Sequence, residues 1–119
     1  MTLPFQRRVV DWARQCFGQD HIKDHRVRAL RFVEEALELA QACGLSDNEV
    51  RRVLVYVYNR PTGDIHQEVA GTMLTLAVLA DLHGVDMLGQ GEAELVRCWS
   101  KTERIRAKDQ AKPTFEKAE

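Results

Sequence analysis

Apolar residues recur at helical spacing along most of the chain, and strand alternation is nowhere sustained. Phe5, Val9, Trp12 and Cys16 share one face after Pro4, which suits a first helical turn, and Gly18 ends the run. After a polar link over 19–23, a second amphipathic helix is predicted from about Asp24 to Cys43. Leu30, Val33, Leu37 and Ala40 form its stripe, Ala29, Phe32, Ala36 and Leu39 flank it, and Gly44 stops it. Ser46 and Glu49 make a capping box, with Leu45 and Val50 placed as a hydrophobic staple, so a third helix follows to about Asn59. Its Val53, Val55, Tyr56 and Val57 would also suit a strand, but the cap and the lack of any partner strand decide for helix. Arg60, Pro61, Thr62 and Gly63 form a turn. Asp64 with Gln67 then caps a fourth helix that ends at His83 before Gly84. A fifth is expected to start between Asp86 and Gly91 and to run to about Gln110, before Lys112-Pro113. The expectation is an all-α bundle of four or five helices in a single domain over 1–112, with a short flexible tail over 113–119.

Composition adds little to this picture except exclusions. The 119 residues are 45% hydrophobic and 29% charged, and a chain of this size can bury a core without a metal or disulfide to staple it. Seventeen basic against eighteen acidic side chains leave a net charge of −1, so neither a nucleic acid polymer nor an anionic membrane is expected as a partner. The longest nearly uncharged run, Val69 to Ala80, falls short of the about 20 residues of a spanning helix. Met1 opens no signal peptide, and the cytoplasm is the expected location. Cys16, Cys43 and Cys98 contain no C-x-x-C pair and are expected as reduced, mostly buried thiols. The apolar faces are compatible with a homodimer.

Candidate chemistry starts at Glu68. Between it and Asp81 the fourth helix carries no charge and is apolar all round, so it is expected to be central. A carboxylate at its edge is either paired, protonated or metal-bound, or else lies in a solvated first turn where it complements the helix dipole. Glu34, Glu35 and Glu38 share one side of the second helix, Glu35 and Glu38 one turn apart. Such a cluster is usually a solvated face, here with Arg28 and Arg31 to offset the repulsion. Convergence with Glu68 would instead give an oxygen-only group suited to Mg2+ or Mn2+ holding a phosphate. The residues alone leave both open. Trp12, Trp99, Tyr56 and Tyr58 read more readily as core than as base-stacking groups, and His66 as solvated. His21, His25 and His83 show no ligand pattern, and Gly89-Gln90-Gly91 is too short for a phosphate loop.

The segment Arg31-Phe-Val-Glu-Glu-Ala-Leu-Glu-Leu-Ala-Gln-Ala42, followed by Gln67-Glu-Val-Ala-Gly-Thr-Met-Leu-Thr-Leu-Ala77 and Leu82-His-Gly-Val-Asp-Met87, resembles the MazG-like all-α nucleoside triphosphate pyrophosphohydrolases over about Phe5 to Lys108. The resemblance implies a bundle of that type, assembled as a homodimer or homotetramer. It implies cleavage of a (deoxy)nucleoside triphosphate to monophosphate and pyrophosphate. Glu35 and Glu38 match the family's E-x-x-E, and Glu68 matches the first position of its E-x-x-D; together they would hold Mg2+ or Mn2+, which orients the triphosphate and activates a water. Glu34, beside Glu35, would serve as the base. The last position of the second motif is Gly71, so a carboxylate is lacking there; Asp64, one turn before Glu68, or Glu34 would have to replace it. Lys101, Arg104 and Lys108 would then hold the leaving pyrophosphate, with Arg106 nearby, although Glu103 and Asp109 on the same helix suit a plain solvated surface. Gly71 also marks the alternative, a catalytically weakened or inactive relative acting as a nucleotide-binding or protein-interaction module.

Overall fold

The computed structural model describes residues 3–115; what is expected of 116–119 lies outside them. The described residues form six α-helices and no strand: α1 (Phe5–Phe17), α2 (His25–Ala42), α3 (Asp47–Tyr58), α4 (Ile65–Leu82), α5 (Met87–Ser100) and α6 (Thr102–Ala111), with a short 3-10 turn at His21–Lys23. The all-α expectation holds.

Side-chain caps set the starts of four helices. Asp24 accepts from the Val27 N–H, Asp64 from the Gln67 N–H and Asp86 from the Gly89 N–H, each at 3.1 Å. At α3 the capping box is complete, the Ser46 hydroxyl accepting from the Glu49 N–H and the Glu49 carboxylate from the Ser46 N–H. The stop after α2 is a Schellman motif: the Gly44 N–H reaches Gln41 O, the Leu45 N–H reaches Ala40 O, and Gly44 takes φ 92°, which favours a residue without Cβ. Ser46→Ala is expected to cost about 1 kcal/mol of local stability, seen as faster amide exchange over the first turn of α3, with Ser46→Asp nearly neutral.

The expected fifth helix is two. It breaks at Lys101, where φ −126° and ψ 26° leave the helical region. Flanking hydroxyls compete for the backbone: Ser100 donates to Arg97 O, and Thr102 Oγ1 lies 3.1 Å from Cys98 O and from Trp99 O. Thr102 Oγ1 in turn accepts from the Trp12 indole at 3.3 Å, so the break is fixed from α1.

The chain forms two compact units, one of residues 3–28 with 84–115 and one of Ala29–His83. In the first, α1 packs on α5 and α6 around buried Trp12, Cys16 and Leu95, with Phe5, Phe17 and Ile105 against them. Gly91 of α5 allows a close approach: a Cβ there would lie 3.1 Å from the Phe5 ring. Arg8 forks onto Glu92 at 2.9 and 2.6 Å and ties α1 to α5, which holds the Glu92 carboxyl below its ordinary range. Arg106 of α6 donates to Cys16 O at 2.5 Å and Gln15 O at 3.0 Å, satisfying carbonyls at the end of α1 and complementing its dipole. Asp109 is buried, with one oxygen 2.9 Å from His21 Nε2 and 3.4 Å from Arg28, whose guanidinium lies 4.4 Å from the Phe17 ring centre. All three cysteines are free; Cys16 is fully buried, and burial pushes its thiol pKa up.

The second unit contrasts with the first. No residue from 29 to 83 is buried, and every residue from 51 to 76 is exposed. Among the described residues α2, α3 and α4 do not pack along one another; near the ends of α2 and α4, Cys43 Sγ lies 3.6 Å from His83 Nε2. The stretch of α4 between Glu68 and Asp81, expected to be central, is therefore largely uncovered within its own unit, with only Ala77, Leu79 and Ala80 partly buried.

Candidate functional site

All four candidate glutamates belong to the second unit. Glu34, Glu35 and Glu38 occupy the middle of α2, Glu34 partly covered and the other two exposed, while Glu68 sits exposed in the first turn of α4. The carboxylate of Glu68 folds back over the preceding turn, where a Cβ on Gly63 would lie 2.8 Å from Oε1. Gly63 thus leaves room for it. Its position beside the free N–H groups of α4 is favourable for a negative charge. Asp64, the possible substitute ligand, is engaged as the α4 cap.

Along α4 the Thr72 hydroxyl donates to Glu68 O and the Thr75 hydroxyl to Gly71 O, both at 2.8 Å. These bonds turn two polar side chains back onto the helix and leave its surface more apolar still. Gly71 faces open space, with nothing within 4 Å of a Cβ built there. A Cβ fits this position without a clash.

The offset expected for the α2 carboxylates is half absent. Arg28 turns to Asp109 and Phe17 in the first unit, so it does not serve that cluster. The cations Lys101, Arg104 and Lys108 are exposed on or beside α6 and belong to the first unit. Arg106, placed near them by the spacing, is spent on the α1 carbonyls. Trp12 is core as expected, whereas Trp99, Tyr56 and Tyr58 are exposed.

Oxygen donors of this kind suit a hard divalent cation. Among the described residues, however, no group of three or more His, Cys, Asp or Glu is placed to hold a metal ion. The candidate ligands of one chain therefore do not make up a metal centre, and no catalytic step is derived through one. Two juxtapositions escaped the sequence. Asp109 with His21 and Arg28 joins positions more than 80 residues apart. Cys43 and His83 share a signal only in hindsight, each preceding the glycine that ends its helix.

No protein-family profile matches the chain, and no curated protein or solved structure is significantly similar to it. Among the described residues no single helix is long and apolar enough to cross a membrane.

Proposed function

We propose that the chain is a MazG-like nucleotide pyrophosphohydrolase that uses Mg2+ or Mn2+ to convert a (deoxy)nucleoside triphosphate to monophosphate and pyrophosphate. The observation that carries this is the placement of Glu35, Glu38 and Glu68, the acidic positions of both motifs, on exposed stretches of two helices of one unit. Carboxylates alone repel a triphosphate, so such residues serve it only through a divalent cation. The required donors do not gather in one chain, and the working site then belongs to an assembly of copies, a homodimer or homotetramer. Glu34 is the proposed base, and Lys101, Arg104 and Lys108 the proposed contacts for the leaving pyrophosphate.

One alternative has its own support. Gly71 removes a motif carboxylate and no three-ligand group forms among the described residues, as expected of a non-catalytic module that binds a nucleotide or a protein. Pyrophosphate release over a panel of standard and modified nucleotides, with Mg2+ or Mn2+, separates the two. The enzyme is expected to turn over at least one of them, and Glu38→Gln to lower that rate by about 100-fold or more. Silence across the panel from a folded chain would favour the module. Gly71→Asp is expected to tighten Mn2+ binding about tenfold by adding one charged ligand.

A further inference from the structure

We propose that Cys43 is a covalent modification site, a nucleophilic thiol served by His83 that takes up a small-molecule disulfide of the glutathione type as a mixed disulfide. The inference does not rest on the hydrolase reading. Both residues stand at fixed ends of helices. Cys43 follows α2, its N–H reaching Leu39 O at 2.9 Å and Ala40 O at 3.1 Å, and His83 follows α4, its N–H reaching Leu79 O at 3.3 Å and Ala80 O at 3.1 Å. Each precedes a glycine of positive φ, 92° at Gly44 and 67° at Gly84, that turns the chain out of the helix. The two side chains meet there, with Cys43 Sγ 3.6 Å from His83 Nε2, a hydrogen-bond length for an atom as large as sulfur.

The other two thiols lack this setting. Cys16 is fully buried and donates to Thr102 O, while Cys98 lies beside the Glu94 carboxylate; burial in both, and the carboxylate at Cys98, push their pKa values up and hold them in the protonated, inert form. Cys43 is only half-buried, and the imidazole beside it is exposed, so reagent can reach a sulfur that already has a proton acceptor. Two donors fall short of the three or four side chains of a zinc site, which leaves covalent chemistry as the use of the pair. In the step, Cys43 Sγ attacks one sulfur of a disulfide RS–SR. The thiol proton passes to His83 Nε2, the new S–S bond forms as the old one breaks, and the leaving thiolate takes that proton and departs as RSH. Cys43 is oxidised and half of the reagent is reduced, so no further oxidant is needed. The adduct displaces the imidazole from the sulfur and releases the end of α4 from the end of α2.

The test treats the purified, reduced full chain with oxidised glutathione at neutral pH and locates the adduct by peptide mass mapping. An ordinary thiol is only a few per cent thiolate at that pH, so complete removal of its proton could raise the rate by about thirtyfold at most. A stabilised thiolate is also a weaker nucleophile, which brings the expected gain to about tenfold. Cys43 is therefore expected to react first, about tenfold faster in the folded chain than in the same chain unfolded in urea. His83→Gln keeps a polar side chain without a base and is expected to lose that gain with its circular dichroism unchanged. Dithiothreitol is expected to restore the unmodified chain, and the adduct to show faster amide exchange than the reduced chain at Leu45 and His83. Should His83→Gln not fold, the comparison of folded with unfolded wild type still decides. The proposal would be overturned by Cys98 reacting first, by a Cys43 no faster folded than in urea, by a folded His83→Gln as fast as wild type, or by an adduct whose exchange at Leu45 and His83 matches that of the reduced chain.

Discussion

Replacing Trp12 by Ala is expected to remove about 3–5 kcal/mol from the first unit, the usual range for deleting a large buried aromatic side chain. Trp12 is 9% exposed and packs with Cys16 and Leu95. Its ring stands edge-on to Phe17 at 5.5 Å, and its indole N–H donates to Thr102. The substitution leaves a void at the junction of α1, α5 and α6 and frees the hydroxyl that marks the α5/α6 break. Since small domains have only about 5–15 kcal/mol in total, this unit would lie close to its unfolding midpoint at physiological temperature. Urea unfolding followed by circular dichroism measures the loss. Trp12→Phe is expected to recover most of it, the remainder of about 1 kcal/mol reporting the indole hydrogen bond. A loss below about 1 kcal/mol for Trp12→Ala would show that the three helices do not depend on this side chain.

Asp109→Ala is the second large effect, expected at about 2–3 kcal/mol. The carboxylate is 7% exposed and its removal leaves Arg28 and His21 without it. Losing one member of a fully buried pair costs about 3–5 kcal/mol, and the partial exposure of Arg28 and His21 lowers that figure through solvent screening. Asp109→Asn keeps the shape and one acceptor, so it is expected to fall between wild type and Ala. The same urea titrations, repeated at high salt, check the origin: a buried ion pair is weakly screened, so the wild-type advantage should persist. An Asp109→Ala protein as stable as wild type would mean that the cluster contributes nothing net.

Much of the local structure was legible in the sequence because its causes lie within a few residues. Ser46 with Glu49, Asp64 with Gln67, and Gly44 after Cys43 each act on their own turn, and the helix limits fell where these residues put them. The break at Lys101 was not legible. Ser100 and Thr102 are unremarkable in a helical pattern, and what fixes the bend is an indole 90 positions away. Asp109 likewise reads as one charge on a mixed surface until His21 and Arg28 are brought to it. For the candidate site, the pattern put Glu35, Glu38 and Glu68 on helices but carries no information on whether their oxygens converge. The bare run from Val69 to Ala80 announces that α4 needs cover, while nothing in the order of residues says which chain supplies it.

The discontinuity of the first unit governs how the polypeptide reaches its native form. Its closing contacts, Trp12 to Thr102 and Arg106 to Cys16, span 90 positions, so a ribosome must deliver all of 29–83 before α1 meets its partners. Ring closure over that distance carries a modest entropic cost, growing only with the logarithm of its length. The delay matters more: at about 5–20 residues per second, α1 waits several seconds with Trp12 uncovered. Chains truncated before Thr102 would never close this ring, and they are the species from which proteolysis and chaperone capture are to be expected.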